Sequence, residues 1–412
     1  MKAQQFTHNA DVRSTIKELR AWQAKHPAGA EVSDIIDADG NQYVDLVMEG
    51  GGVLGIGLLG YTYAMEQVGI RFRSIAGTSA GSIAALLFAA YDTAERPKSA
   101  ALAVELAKQD LREFVDGDSD AHDFTDALLR GAGLFGLGLK FVQVLDNFRE
   151  DLGLHPGDAF KQWIQTILEQ RGVRTSADLE HRMAHRPRGL KSRDGNAQIG
   201  PARLALITAE ITTETKVEFP EMAPLFWPNP QAVNPAEFVR ASMSVPFFFH
   251  PYRVANLPQG IAAQKLWDEI ASYNGPVPQQ ALFMDGGIVS NFPIDVFHEM
   301  ERVPLAPTFG AKLGTDRRTP QHVENIRDLT AAVFNTARHA LDYDFITRNP
   351  DYSHLVTCID TAKHNWLNFS IKDADKVDLF RRGVDDAANF LMNFDWQNYK
   401  QIRADLMRAF NR

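Results

Sequence analysis

Apolar residues follow two different rhythms along this chain. Tyr43 to Met48 is apolar at nearly every position and broken only by Asp45, the pattern of a strand covered on both faces. Leu54 to Val68 carries small residues at Gly57, Gly60 and Ala64 and predicts a helix, Phe72 to Ala76 a second strand, and the alanine- and leucine-rich Ala80 to Tyr91 a second helix. Further on, the spacing predicts helices over Lys98–Val115, Asp158–Gln170, Ile326–Ile346, Ala374–Asn393 and Trp396–Phe410. Strands are expected over Arg203–Ala209, Thr215–Phe219, Leu282–Met284 and Leu355–Ile359, with irregular loops over Arg186–Pro201 and Pro220–Pro235. Strands and helices that alternate in this way predict an α/β layered fold with a mainly parallel sheet.

Two small-residue motifs interrupt this pattern at strand-helix junctions. Gly50-Gly51-Gly52-Val53-Leu54-Gly55 follows the first strand, and Gly77-Thr78-Ser79-Ala80-Gly81 follows the second. In a G-x-S-x-G turn the serine is squeezed between strand and helix, and the flanking glycines, here Gly77 and Gly81, remove Cβ atoms that would clash. A glycine run at a helix start offers unobstructed N–H groups at the positive end of the helix dipole, where negative charge is stabilised. A serine hydroxyl becomes nucleophilic only beside a base. Asp285 is the candidate, because it ends the apolar run Ala281–Met284 and is followed by Gly286-Gly287, which let backbone or substrate come close.

Each motif also has a plain structural explanation. The glycine run fits a tight junction or a dinucleotide fingerprint, but the second strand runs into Ala76-Gly77-Thr78-Ser79 and not into the acidic residue that a dinucleotide ribose needs. Ser79 alone fits a helix cap, and Asp285-Gly286 alone an ordinary turn. His298, His339, His354 and His364 lie downstream of Asp285, where a Ser-Asp-His order would place its histidine, but none has a glycine-flanked setting. The acidic stretch Asp116, Asp118, Asp120, Asp123 and Asp126 has Ala121 and Ala127 where a calcium loop needs glycine and glutamate, so it reads as a solvated loop.

Taken in order, G-G-G-x-x-G, G-T-S-A-G and D-G-G resemble the patatin-like family of lipid acyl hydrolases. The likeness extends through Arg240-Ala241-Ser242-Met243-Ser244-Val245-Pro246-Phe247 and covers roughly residues 40 to 395. It implies a three-layer patatin-like fold, a mainly parallel central sheet flanked by helices. It also implies a Ser79–Asp285 dyad without a catalytic histidine, an oxyanion hole at Gly50, Gly51, Gly52 and Val53, a nucleophile elbow framed by Gly77 and Gly81, and a base loop at Gly286 and Gly287. The implied substrate is a fatty-acyl ester of a lipid or phospholipid, met at a membrane or micelle surface, with no metal and no organic cofactor. Leu54 stands where many members carry Lys or Arg, which weakens the case for an anionic headgroup beside the glycine loop; Arg71 and Arg73 are the nearby basic residues that could compensate. The competing expectation is a catalytically idle lipid-binding or interaction protein that keeps the fold.

Composition narrows the choice further. At 412 residues and 45% hydrophobic content the chain can bury a full enzyme core. Its 43 Lys and Arg against 52 Asp and Glu give a formal charge of −9, which argues against a nucleic-acid partner. Cys358 is the single cysteine, so no disulfide forms within the chain. Met1 to Leu19 lacks the apolar stretch of a secretory signal, and Gly50 to Met65 falls short of the roughly 20 residues that span a bilayer. The expectation is therefore a cytoplasmic or peripherally membrane-associated protein. It divides into an unassigned arm over 1–40, a hydrolase domain over 41–395 and a closing helix over 396–412. The amphipathic 130–150 segment, loosened by four glycines at its start, fits either ordinary core packing or a mobile lid or interfacial helix for the acyl chain, with Phe247-Phe248-Phe249 adding aromatic bulk.

Overall fold

Strand β1 (Gln42–Met48) is buried at every position and β2 (Ile70–Thr78) at all but one, as their apolar runs require. They pair in parallel, joined by helix α2 (Ile56–Gln67). This computed structural model describes residues 1–116, 152–299, 301–314 and 342–410, with isolated positions between 320 and 336. Further strands are β3 (Leu204–Glu210), β4 (Thr215–Phe219), β5 (Tyr252–Ala255), β6 (Gln280–Asp285), β7 (Thr308–Leu313) and β8 (Val356–Ile359). A parallel block runs β8-β7-β1-β2-β3; β4 and β6 pair antiparallel with β3, and β5 pairs antiparallel with β6. The mainly parallel sheet expected from the sequence is present.

Two groups of helices flank the sheet. In one, α1 (Ala10–Lys25) and α2 pack against α9 (Asp373–Asn393). The small residues of α2 serve this contact: a Cβ on Gly60 would overlap the Phe380 carbonyl, and one on Gly383 the Gly57 carbonyl. In the other group, α3 (Ala80–Tyr91) meets α5 (Asp158–Gln170), α6 (Ser176–Met183) and α7 (Ala236–Ser242). Further helices among the described residues include α4 (Ser99–Lys108), α8 (Ile261–Ala271) and α10 (Trp396–Phe410).

One edge of β3 decides where the site lies. On one side, Leu206 to Glu210 pair with β4. On the other, Leu204 to Ile207 pair with β2, and Thr208 to Glu210 pair with β6. Because β2 is parallel to β3 and β6 antiparallel, their C-terminal ends face each other along that edge, with Thr78 opposite Ile207 and Asp285 opposite Thr208.

Several expectations change on contact with the structure. Lys98–Val115 is α4 followed by a separate 3₁₀ turn, Leu111–Phe114, because the Asp110 side chain accepts from Arg112 N–H at 3.1 Å and starts a new element. Within the expected loop 186–201, Lys191–Ser192 pairs with Ile35–Ile36. The stretch before residue 41 is ordered against the core: Phe6 is fully buried, its ring 5.1 Å from that of Phe380. The lid segment 130–150, the acidic positions from 118 onward, His339 and most of the helix expected over Ile326–Ile346 lie outside the described residues; 342–348 are helical.

Candidate active site

Ser79 sits between β2 and α3 with φ +51° and ψ −119°, a left-handed backbone that costs a non-glycine residue strain. The crowding behind this turn is specific, since a Cβ on Gly81 would overlap the Met48 carbonyl, and Gly77 is itself pressed against Gly81. The G-x-S-x-G spacing is thus enforced by the close passage of α3 over β1 and β2. The Ser79 carbonyl accepts from Ser82 N–H at 2.9 Å, Ser82 Oγ at 2.7 Å and Ile83 N–H at 3.1 Å. The turn is fixed from below while the serine stands at the helix N-terminus, 6% exposed.

Asp285 is 3% exposed and ends β6. Its Oδ1 accepts from Gly287 N–H at 2.7 Å, which sets the carboxylate's orientation. Gly286 must be glycine because a Cβ there would overlap the Ile207 carbonyl and lie 3.0 Å from Thr78 Cγ2. The sequence places Asp285 at a strand end without giving the strand's direction. β6 is antiparallel, and Asp285 comes to the serine side because β2 and β6 share one edge of β3.

The glycine loop is locked to the segment after Asp285. Gly50 N–H donates to Asn291 O at 3.0 Å, and Asn291 Nδ2 donates to Glu49 Oε1 and Gly50 O, both at 3.2 Å. Thr78 Oγ1 donates to Ser290 O at 2.8 Å, so the same segment also braces the serine strand. Val53 N–H donates to Trp366 O at 3.0 Å. Of the four amides assigned to the oxyanion hole, those of Gly50 and Val53 are therefore engaged. Those of Gly51 and Gly52 meet no acceptor among the described residues. Gly52 has φ +53°, and a Cβ on it would overlap the Trp366 carbonyl. Leu54 is buried in this turn. Neither Arg71 nor Arg73 compensates for it: they lie near the start of β2, held by the carbonyls of Glu66, Ile70 and Glu95 and of Gly200 and Pro201 respectively.

Sequence reasoning gave no role to the residues at the end of α7, 163 positions from Ser79. Ser242 Oγ accepts from Ser79 N–H at 2.9 Å and donates to Ile207 O at 2.6 Å. Two residues on, Ser244 O accepts from Asp285 N–H at 2.8 Å. The buried Arg240 guanidinium donates to Ser244 Oγ at 2.6 Å and to His250 O at 2.9 Å, tying this brace to the neighbouring chain. The segment Arg240–Ser244 thus grips both candidate residues by their main-chain amides. Asp116 also departs from expectation. Its carboxylate is not simply solvated but accepts from Gly157 and Ala159 N–H at 2.7 and 2.9 Å, capping α5.

Behind the site lies a buried acidic cluster. Asp342 accepts from Ser290 Oγ at 3.0 Å and Phe292 N–H at 2.8 Å. Burial, with the Glu49 charge adding to it, pushes its carboxyl up to about 7, while those two hydrogen bonds and Lys312 pull the other way. A raised folded pKa means that the fold favours the protonated acid. Its stabilising contribution is full below pH 3.8 and is lost as pH rises through about 7. Comparing melting temperatures from pH 4 to 7, Asp342→Asn is expected to lose less stability than wild type over that interval, by about 2–4 kcal/mol. Parallel curves would remove Asp342 from the account.

Among the described residues, the histidines downstream of Asp285 are placed away from this turn or held by other partners. His298 Nδ1 lies 2.8 Å from Tyr352 Oη, in a cluster with Arg403 that lowers its pKa along with burial, and His364 pairs with Asp378 at 3.1 Å. His354 is exposed. What opens at Ser79 instead is a largely apolar cavity of about 140 Å³, walled by Ile83, Leu87, Phe88, Leu106, Phe114 and Trp163 among others.

Residues 46–298 match the family described as patatin-like phospholipase. An uncharacterized protein of Bacillus subtilis (strain 168), YqhO, is 28% identical over 356 residues, which cover 86% of this chain and 100% of that protein. The crystal structure of VipD from Legionella pneumophila aligns with 88% of this chain and 70% of its own at 14% identity and a TM-score of 0.41.

Proposed function

Because the chain belongs to the patatin-like phospholipase family and so to the lipid ester hydrolases, we propose that it cleaves fatty-acyl esters of phospholipids or lysophospholipids through a Ser79–Asp285 dyad. Asp285 takes the Ser79 proton as Oγ attacks the ester carbonyl carbon. The amides of Gly51 and Gly52 receive the oxyanion, and the intermediate collapses when Asp285 returns the proton to the departing alcohol. Water then attacks the acyl-enzyme, giving its proton to Asp285, and the fatty acid leaves with Ser79 restored. The observation that carries this reading is the shared edge of β3, on which Thr78 and Asp285 take consecutive partners, Ile207 and Thr208. A strained serine turn, 6% exposed at the mouth of an apolar cavity, adds to it.

The substrate meets the site from outside the fold's interior. Among the described residues no helix is long and apolar enough to cross a membrane, and contact with a lipid surface would be peripheral. Incubating the protein with a panel of lipid classes and reading released products by mass spectrometry tests the activity. Release of free fatty acid from phospholipid or lysophospholipid is expected. A protein that binds vesicles but releases no fatty acid from any class would be the idle lipid-binding alternative.

The oxyanion assignment has its own test. Gly52→Ala places a Cβ against the Trp366 carbonyl at a position with φ +53°, so the loop must shift. Loss of one well-aimed donor costs about 2.7–4 kcal/mol of transition-state stabilisation, a fall in kcat of roughly 10²–10³ with little change in KM. Unchanged turnover would place the oxyanion elsewhere.

A further inference from the structure

The cavity at Ser79 follows the helix that Ser79 begins. Ile83 and Ala84 line it one turn beyond the serine, and Leu87 and Phe88 line it two turns beyond. At 1.5 Å per residue the wall therefore extends about 13 Å along α3. The next turn is closed off. Tyr91 Oη donates to Glu105 at 3.2 Å, the Arg171 guanidinium lies 3.7 Å over the Tyr91 ring, and Arg171 pairs with Glu105 at 3.5 Å. A hydrocarbon end pushed into this group would strip water and partners from charges and give nothing back. The volume is limited too: the 140 Å³ here is close to the roughly 150 Å³ of an apolar protein cavity that accommodates one benzene, so it has room for about six carbons.

We propose that this cavity is the acyl-chain subsite and that its depth makes the enzyme selective for medium-length chains, about six to eight carbons, over those of common membrane lipids. The proposal rests on the serine-hydrolase reading above. Each methylene that enters the cavity raises kcat/KM about fourfold, and each one that does not enter adds nothing. Ala84 governs the first turn and Leu87 the second, and neither belongs to the catalytic machinery.

The test is a series of p-nitrophenyl esters from acetate to palmitate, assayed below their critical aggregation concentrations on wild type, Ala84→Phe and Leu87→Ala. Wild type is expected to peak at hexanoate or octanoate. Ala84→Phe should peak at butyrate or below. Leu87→Ala should move the peak to decanoate or beyond; if Ala84→Phe does not fold, this second shift decides the matter. A wild-type rate that keeps rising to palmitate, or folded variants with the wild-type profile, would overturn the depth argument while leaving the hydrolase intact. Wild type inactive on every ester would overturn both.

Discussion

Ser79→Ala is expected to lower kcat/KM on a short-chain ester by about 10⁴-fold or more, because the group that forms the covalent intermediate is gone while the oxyanion donors and the cavity remain. Labelling by a fluorophosphonate probe should disappear with it. The fold should not suffer. Ser79 holds φ +51° against the preference of any residue with a Cβ, and the turn is anchored through its main chain, by its own N–H and carbonyl, bonded to Ser242 Oγ, Ser82 and Ile83. A melting temperature within a few degrees of wild type is the expected control. Full activity in the alanine variant would remove Ser79 from the chemistry.

Asp285→Asn should be almost as damaging, with kcat falling by about 10³–10⁴-fold and KM for a short ester nearly unchanged. Asparagine keeps a carbonyl oxygen to accept from Gly287 N–H, and its own N–H still reaches Ser244 O, so the β6 end should stay in place. What it loses is the ability to take a proton. The acid limb of the pH profile for kcat/KM, where the base must be ionised, should vanish together with most of the rate. A loss below tenfold, or a profile governed by a group near the ordinary histidine range of about 6.5, would transfer the base role to another residue.

Where local chemistry determines an element, the sequence was enough to find it. The helix over Ala80–Tyr91 begins and ends where its alanine- and leucine-rich run does, and Asp158–Gln170 matches its apolar spacing. Helix α1 carries local signals of the same kind: Asn9 accepts from Asp11 and Val12 N–H as a cap, and Val12, Ile16 and Leu19 fall on one buried stripe. Other features had no local signal. That β6 runs antiparallel and meets β2 end to end depends on pairing Asp285 with Thr208, a register set by the whole sheet. Likewise, nothing near Ser242 or Ser244 says that one holds the Ser79 amide and the other the Asp285 amide. The same holds for Gly50 and Val53, whose positions in the glycine run suit an oxyanion until Asn291 and Trp366 arrive to take their N–H groups. Motif spacing singles out the candidate residues, and long-range packing leaves the Gly51 and Gly52 amides as the donors proposed to serve them.

The most direct test of the whole account is to mix the enzyme with p-nitrophenyl hexanoate, quench in acid within the first turnovers, and map the adduct by peptide mass spectrometry. A hexanoyl group on the peptide that contains Ser79, absent from Ser79→Ala, is the predicted result. Hydrolysis that proceeds with no acyl adduct on that peptide, or with the adduct on a different residue, would contradict it.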